Sequence, residues 1–216
     1  MVTLNGGNPV AATMEIIGTL NVTSIDGDVY MTGVDSTGDI TIDIHNDGTI
    51  HASAVVAESI TMDIGGTGDI SVIELFLGNV FALIPGLFPG GSSSDKPFVY
   101  ANVNRGDVTI EGLQGLKSPA DSGNLQVELN AGGGGNIKVI INANGFLGKY
   151  ELITSQGKVG VEIEGNEPTD LWKKQGCVPL PSDVLHTKPP DVCKNNGLLL
   201  LNSTYGDLEF VVDTGS

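Results

Sequence analysis

Three histidines, two cysteines and 26 acidic residues are the side chains here that could do chemistry. His45-Asn46-Asp47 and His51 flank one turn, where a metal ion or an acid–base pair could be imagined. Six residues across a turn is not a recognised ligand spacing. Both histidines alternate with apolar neighbours, so they read as solvated strand residues. Asp43 and Asp63, on the outward sets of neighbouring segments, could supply the two carboxylates that glycoside hydrolysis requires. A sugar cleft usually adds aromatic platforms and basic residues, and both are scarce: aromatics make up 5% of the chain and Lys plus Arg number 10. The abundant aspartates are already explained by turns. The sequence therefore predicts no catalytic residue and no enzyme.

Other motifs resolve in the same direction. Arg105-Gly106-Asp107 spells an integrin-binding tripeptide, but Gly-Asp recurs elsewhere without arginine, so it reads as a repeated turn. Gly65-Gly66-Thr67-Gly68-Asp69 falls one residue short of the calcium nonapeptide and has no tandem copy. Weak calcium binding among Asp26, Asp28, Asp35 and Asp39 is the one cofactor chemistry left open, since hard cations want carboxylates converging on one point. Gly132 to Gly135 is not followed by Gly-Lys-Ser/Thr, so it is no phosphate loop. Cys177 and Cys193 lie in a Pro-rich stretch. A bridge between them would stabilise by about 3 kcal/mol in the chain-entropy model. Free buried thiols, or a metal held with His186, are the alternatives. Asn21-Val22-Thr23 and Asn202-Ser203-Thr204 are glycosylation sequons at Asn21 and Asn202.

The elements that would carry these residues are strands. Gly fills 31 positions while hydrophobic residues make up an ordinary 40%, a balance of many turns and short branched-aliphatic strands. One phrase recurs about every ten residues: Gly, a small polar residue, then apolar-x-apolar. It appears at Gly18-Thr19-Leu20, Gly27-Asp28-Val29, Gly38-Asp39-Ile40, Gly48-Thr49-Ile50 and Gly68-Asp69-Ile70. It returns at Gly106-Asp107-Val108, Gly135-Asn136-Ile137, Gly157-Lys158-Val159 and Gly206-Asp207-Leu208. Gly38 and Gly68 are expected to turn the chain at positive φ, with Asp or Asn bonding the local backbone. Self-similar strand-turn units predict an all-β β-solenoid or β-roll with two units per coil. A β-sandwich is the alternative.

The organisation expected is one elongated domain over 1–216. An apolar and Ser-rich insertion interrupts it at 83–97, and a Pro- and Cys-rich excursion at 164–196. In and beside the first, Phe81, Leu83, Ile84, Leu87 and Phe88 would form an exposed patch for self-association. No apolar run reaches the length of a membrane span. A net charge of −16 argues against nucleic acid and anionic lipid as partners. The N-terminus carries no signal-peptide pattern, and the chain is read as a mature fragment.

The phrases Ser24-Ile25-Asp26-Gly27-Asp28-Val29, Asp35-Ser36-Thr37-Gly38-Asp39-Ile40 and Gly148-Lys149-Tyr150-Glu151-Leu152, running on through Gly157-Lys158-Val159, resemble a family of adhesin domains. The resemblance covers most of 15–163 and recurs at 203–212. It implies an extracellular or cell-surface β-solenoid without catalytic residues. The expected function is structural or adhesive, with copies of itself, other surface proteins or glycans as partners and fibres as one form of assembly. A carbohydrate-binding module or glycan-acting β-helix enzyme is the alternative. Non-reducing peptide mapping of secreted material is expected to recover Cys177 and Cys193 as one linked pair. Two alkylatable thiols would remove the case for an oxidising compartment.

Overall fold

A computed structural model describes residues 1–78, 97–115, 125–142, 148–163, 173–178 and 197–213, with the backbone alone for 163 and 173–178. Among the described residues seventeen strands build two sheets, and the chain alternates between them through β14. β1 (Val2–Asn5), β3 (Leu20–Ser24), β5 (Ile40–Ile44), β7 (Ile60–Thr67), β9 (Phe98–Arg105) and β11 (Gln126–Ala131) lie in a nine-stranded sheet A. β2 (Val10–Ile16), β4 (Val29–Ser36), β6 (Ile50–Ala57), β8 (Ile70–Leu77), β10 (Val108–Gly115) and β12 (Ile137–Asn142) lie in an eight-stranded sheet B. Ladders between coils are parallel and in register. Leu20 faces Ile40, which faces Ile60, while Val29 faces Ile50, which faces Ile70. The fold is a β-solenoid of two strands per coil, as the ten-residue phrase implied.

The core follows from strand alternation. Each central strand buries every second residue, as in the buried Ile40, Ile42 and Ile44 of β5. These columns merge into a single apolar cluster that runs from Ala11 to Val212. Each fully buried Ile, Leu or Val is worth roughly 1.5–3 kcal/mol over exposure. Buried hydroxyls serve the corners: Ser203 Oγ donates to the Gly135 carbonyl (2.7 Å) and Thr154 Oγ1 to that of Gly206 (3.0 Å).

The two corners of each coil differ. From A to B the turn is tight in every coil, at 6–9, 25–28, 45–49, 68–69, 106–107, 132–136, 155–158 and 204–207. Here the glycines stack on one another. A Cβ on Gly68 would fall on the carbonyl of Gly48, on Gly106 on that of Gly68, and on Gly135 on that of Gly106. Neither Gly38 nor Gly68 has the positive φ expected of it. Gly68 is needed because a neighbouring backbone occupies the space of a side chain. Gly38 is merely snug, 3.1 Å from the Gly18 carbonyl carbon.

The Asp or Asn after the glycine also works between coils, and not on the local backbone as expected. Asn8 Oδ1 accepts the Asp28 N–H (2.9 Å), and Asp28 Oδ1 that of Thr49 (2.9 Å). Further on, Asp69 accepts from Asp107, Asp107 from Asn136, Asn136 from Asp207 and Asp207 from Lys158, at 2.7–2.9 Å. This order departs from chain order at the end. β16 (Gly197–Ser203) and β17 (Leu208–Asp213) slide between the β11–β12 coil and the coil of β13 (Gly148–Thr154) and β14 (Val159–Ile163). Lys158 offers no side-chain acceptor. Its coil can receive the ladder but cannot pass it on, whereas Asp207 does both.

Two further departures stand out. The Cys-bearing excursion is not wholly irregular: β15 (Lys173–Val178) pairs antiparallel with β13 and edges sheet A. Sheet B carries a column of left-handed residues, Thr13, Gly33, Ala54, Glu74 and Gly112, at φ +45 to +71°. Neighbouring strands skip these residues together, so the register is kept, and only against β12 does Gly112 make a bulge.

Gly68→Ala is expected to cost about 1–3 kcal/mol, since backbone must move, and Gly38→Ala clearly less. Ala54→Gly should be neutral or stabilising, because relief of the left-handed strain, about 1–2 kcal/mol, outweighs the added chain entropy. Urea melts of the three variants check the ranking.

Candidate binding surface

The tight A-to-B turns set one long side of the solenoid and most longer connections return at the other. The exception runs from 163 to 173 and enters the antiparallel β15 on the glycine side, where Lys173 pairs with Ile153. The connections from 78 to 97, 115 to 125, 142 to 148 and 178 to 197 all return to sheet A at the corner opposite the glycine stack. They do so on the adjacent strands β9, β11, β16 and β13. Backbone bonds pin the re-entry points: Gln126 N–H donates to the Pro97 carbonyl and Leu198 N–H to that of Leu125, both at 3.0 Å.

The outer face of sheet A beside this corner is unlike the rest. Parallel register lays its residues in rows. Phe98, Gln126 and Leu198 form the first, and Thr61, Tyr100, Glu128 and Leu200 the second. A third row holds Asp63, Asn102, Asn130 and Asn202. The first two rows line a shallow depression of about 230 Å³. Phe98 is 39% and Leu198 43% exposed, although both stand on otherwise well-packed strands. The polar neighbours are pre-oriented: Asn102 Nδ2 donates to Asp63 Oδ1 (2.9 Å) and Asn130 Nδ2 to Glu128 Oε1 (3.4 Å).

The residues singled out by sequence fall elsewhere or are already engaged. His45 lies in the turn after β5 and His51 on β6 of sheet B. His45 Nδ1 approaches Asp43 Oδ1 at 3.4 Å, while His51 stacks on Tyr30 across sheet B at 5.2 Å. Asp43 and Asp63 are indeed register partners on neighbouring strands, side by side on the open face of sheet A. In Arg105-Gly106-Asp107, Asp107 Oδ1 accepts both the N–H and Nδ2 of Asn136, so that carboxylate holds two coils together. The four-glycine turn leaves room for Arg105, whose Cγ would lie 2.6 Å from a Cβ on Gly133.

Of the calcium candidates, Asp26 and Asp28 lie at the glycine corner, whereas Asp35 lies at the far end of β4 and Asp39 just beyond it. The four do not converge, and no cluster of three or more His, Cys, Asp or Glu suited to a metal occurs among the described residues. Asn21 and Asn202 both face outward on sheet A, the first half-buried and the second exposed. Phe81, Leu83, Ile84, Leu87, Phe88 and Cys193 lie outside the described residues. Cys177 is placed by backbone only, opposite Lys149. No helix among the described residues is long and apolar enough to cross a membrane.

No sequence motif marks the depression beside Phe98. Its signal was present: Phe98 and Tyr100 flank Val99, and Leu198-Leu199-Leu200-Leu201 breaks alternation, so two of those leucines must face out. The sequence matches no family model, no curated protein and no solved structure.

Asp28 is the ladder carboxylate with a resolved electrostatic signature. Hydrogen bonds from the Thr49 hydroxyl and N–H hold its carboxyl below the ordinary range, and its charge raises the Tyr30 phenol. A depressed folded value means the contribution is present above the unfolded pKa and lost as pH falls below about 4. Asp28→Asn keeps an acceptor at Oδ1, as Asn8 and Asn136 do. Urea melts at pH 6 and pH 3 should show less acid sensitivity in Asp28→Asn than in the parent, whereas Asp28→Ala loses stability at both.

Proposed function

We propose that this chain is a non-catalytic extracellular or cell-surface structural and adhesive protein. It is a stiff β-solenoid that displays contact segments along one edge. The observation behind this is the asymmetry of the corners. Four longer returns to sheet A enter at one edge, on β9, β11, β16 and β13. Only the antiparallel edge strand β15 is entered from the glycine side, where every passage from sheet A to sheet B is tight. In stacked-repeat proteins, insertions on one face commonly mark the binding face.

The acidic residues support the non-catalytic reading. Asp28, Asp47, Asp69, Asp107 and Asp207 each accept a backbone N–H from the adjacent coil. Their abundance follows from scaffold chemistry. The outward placement of both sequons and the proposed Cys177–Cys193 bridge fit a secretory route. Resemblance to adhesin domains in turn wording points the same way, and copies of the chain or other surface molecules are the proposed partners.

The test replaces Leu87 and Phe88, in the first connection, with Ser. Sedimentation, electron microscopy and cell-adhesion assays should show loss of assembly or attachment, with the monomer's melting temperature unchanged. Attachment that survives in the variant would place contact elsewhere. A parent protein that neither assembles nor adheres would overturn the proposal.

A further inference from the structure

We propose that the depression on sheet A is a binding platform for a neutral glycan, with Phe98 and Tyr100 as its stacking surface. The inference rests on reading this edge as the contact edge and names the ligand class. Phe98 and Tyr100 are two residues apart on β9, so both rings project from the same face, about 6.6–6.8 Å apart along the strand. An aromatic pair on a flat sheet suits the apolar face of a pyranose. Gln126 and Glu128 stand in register beside these rings on β11 and can accept from, or in the case of Gln126 donate to, sugar hydroxyls. Leu198 and Leu200 close the opposite side on β16.

Charge narrows the ligand. Glu128, Asp63 and, next to Leu200 on β13, Glu151 border the platform, against a single cation in the two rows, Lys149 beside Leu198, and the chain carries −16 overall. Uronate or sulfated sugars and anionic headgroups would meet repulsion at close range. A second copy of the same face would bring the same carboxylates together. A neutral sugar gains the stacking area without that cost. The volume of about 230 Å³ falls below the ordinary range for buried ligand pockets, ~300–1,000 Å³. It suits shallow contact with one or two rings of a polymer and correspondingly weak affinity per site.

Saturation-transfer NMR with soluble oligomers of cellulose, chitin and mannan, and with polygalacturonate as the acidic probe, tests the proposal on the full chain. Binding of at least one neutral oligomer and none of polygalacturonate is expected. Tyr100→Ala should weaken binding about tenfold and Tyr100→Phe should restore it. Tyr30→Ala, which removes an aromatic 43% exposed on sheet B, should leave binding unchanged. Because Tyr100 faces outward, its variants should melt like the parent. Binding of none of the neutral oligomers, equal binding by Tyr100→Ala, or preference for polygalacturonate would overturn the platform. Adhesion that persists in Tyr100→Ala while oligomer binding is lost would confine the glycan role to this site and leave the broader function standing.

Discussion

Close approach of backbone to backbone at the glycine corner is the constraint on which the structure depends. Parallel strands in adjacent coils must stay about 4.8 Å apart along the whole stack. At Gly48, Gly68, Gly106, Gly135 and Gly206 that spacing puts one coil's carbonyl where the next coil's Cβ would be. Only glycine permits the stack to pass this corner without lateral displacement. Once the corners superpose, the side chains after them superpose too, and the columns through Ile40 and Ile60 or Ile50 and Ile70 form without further instruction.

The Asp and Asn ladder converts this steric permission into a directed connection. Each link satisfies an N–H that the turn would otherwise leave to water, and those accepted by Asp carboxylates are charge-assisted and stronger than the neutral ones at Asn8 and Asn136. The ladder also accounts for order. Asp107, Asn136 and Asp207 each accept from the next coil while their own N–H is accepted by the previous one. Lys158 lacks the acceptor, so its coil lies at the receiving end. The late insertion of β16 and β17 is thus compatible with the same local rule that builds the first six coils.

With one corner fixed by packing within the parallel stack, variation falls mostly at the other, the antiparallel edge strand β15 being the exception. There the turn is held by hydroxyls and backbone bonds such as Ser36 Oγ to the Gly18 carbonyl and Phe98 N–H to Ser59 Oγ. Replacing such a turn with a longer segment disturbs one coil and leaves the glycine stack intact. The proposed contact edge and the aromatic rows beside it therefore belong to the same side of the molecule. Function on this scaffold can change without loss of the core.

The sequence by itself determined the strands and their two-per-coil repeat. Period-2 alternation after each glycine, as in Gly38-Asp39-Ile40-Thr41-Ile42, is a local property of the chain and survives into the structure as buried Ile40 and Ile42. It did not reveal why Gly68 is glycine, because the obstructing atom belongs to Gly48, twenty residues away and invisible to local φ preferences. Nor did it show that Asp107 of the Arg-Gly-Asp turn is engaged by Asn136, or that Asp43 and His51 belong to different sheets. Only the stacking register decided that Phe98 and Tyr100 meet Gln126, Glu128, Leu198 and Leu200 across 100 residues of chain. Strand alternation is encoded one residue at a time, whereas the platform exists only where separate coils lie side by side.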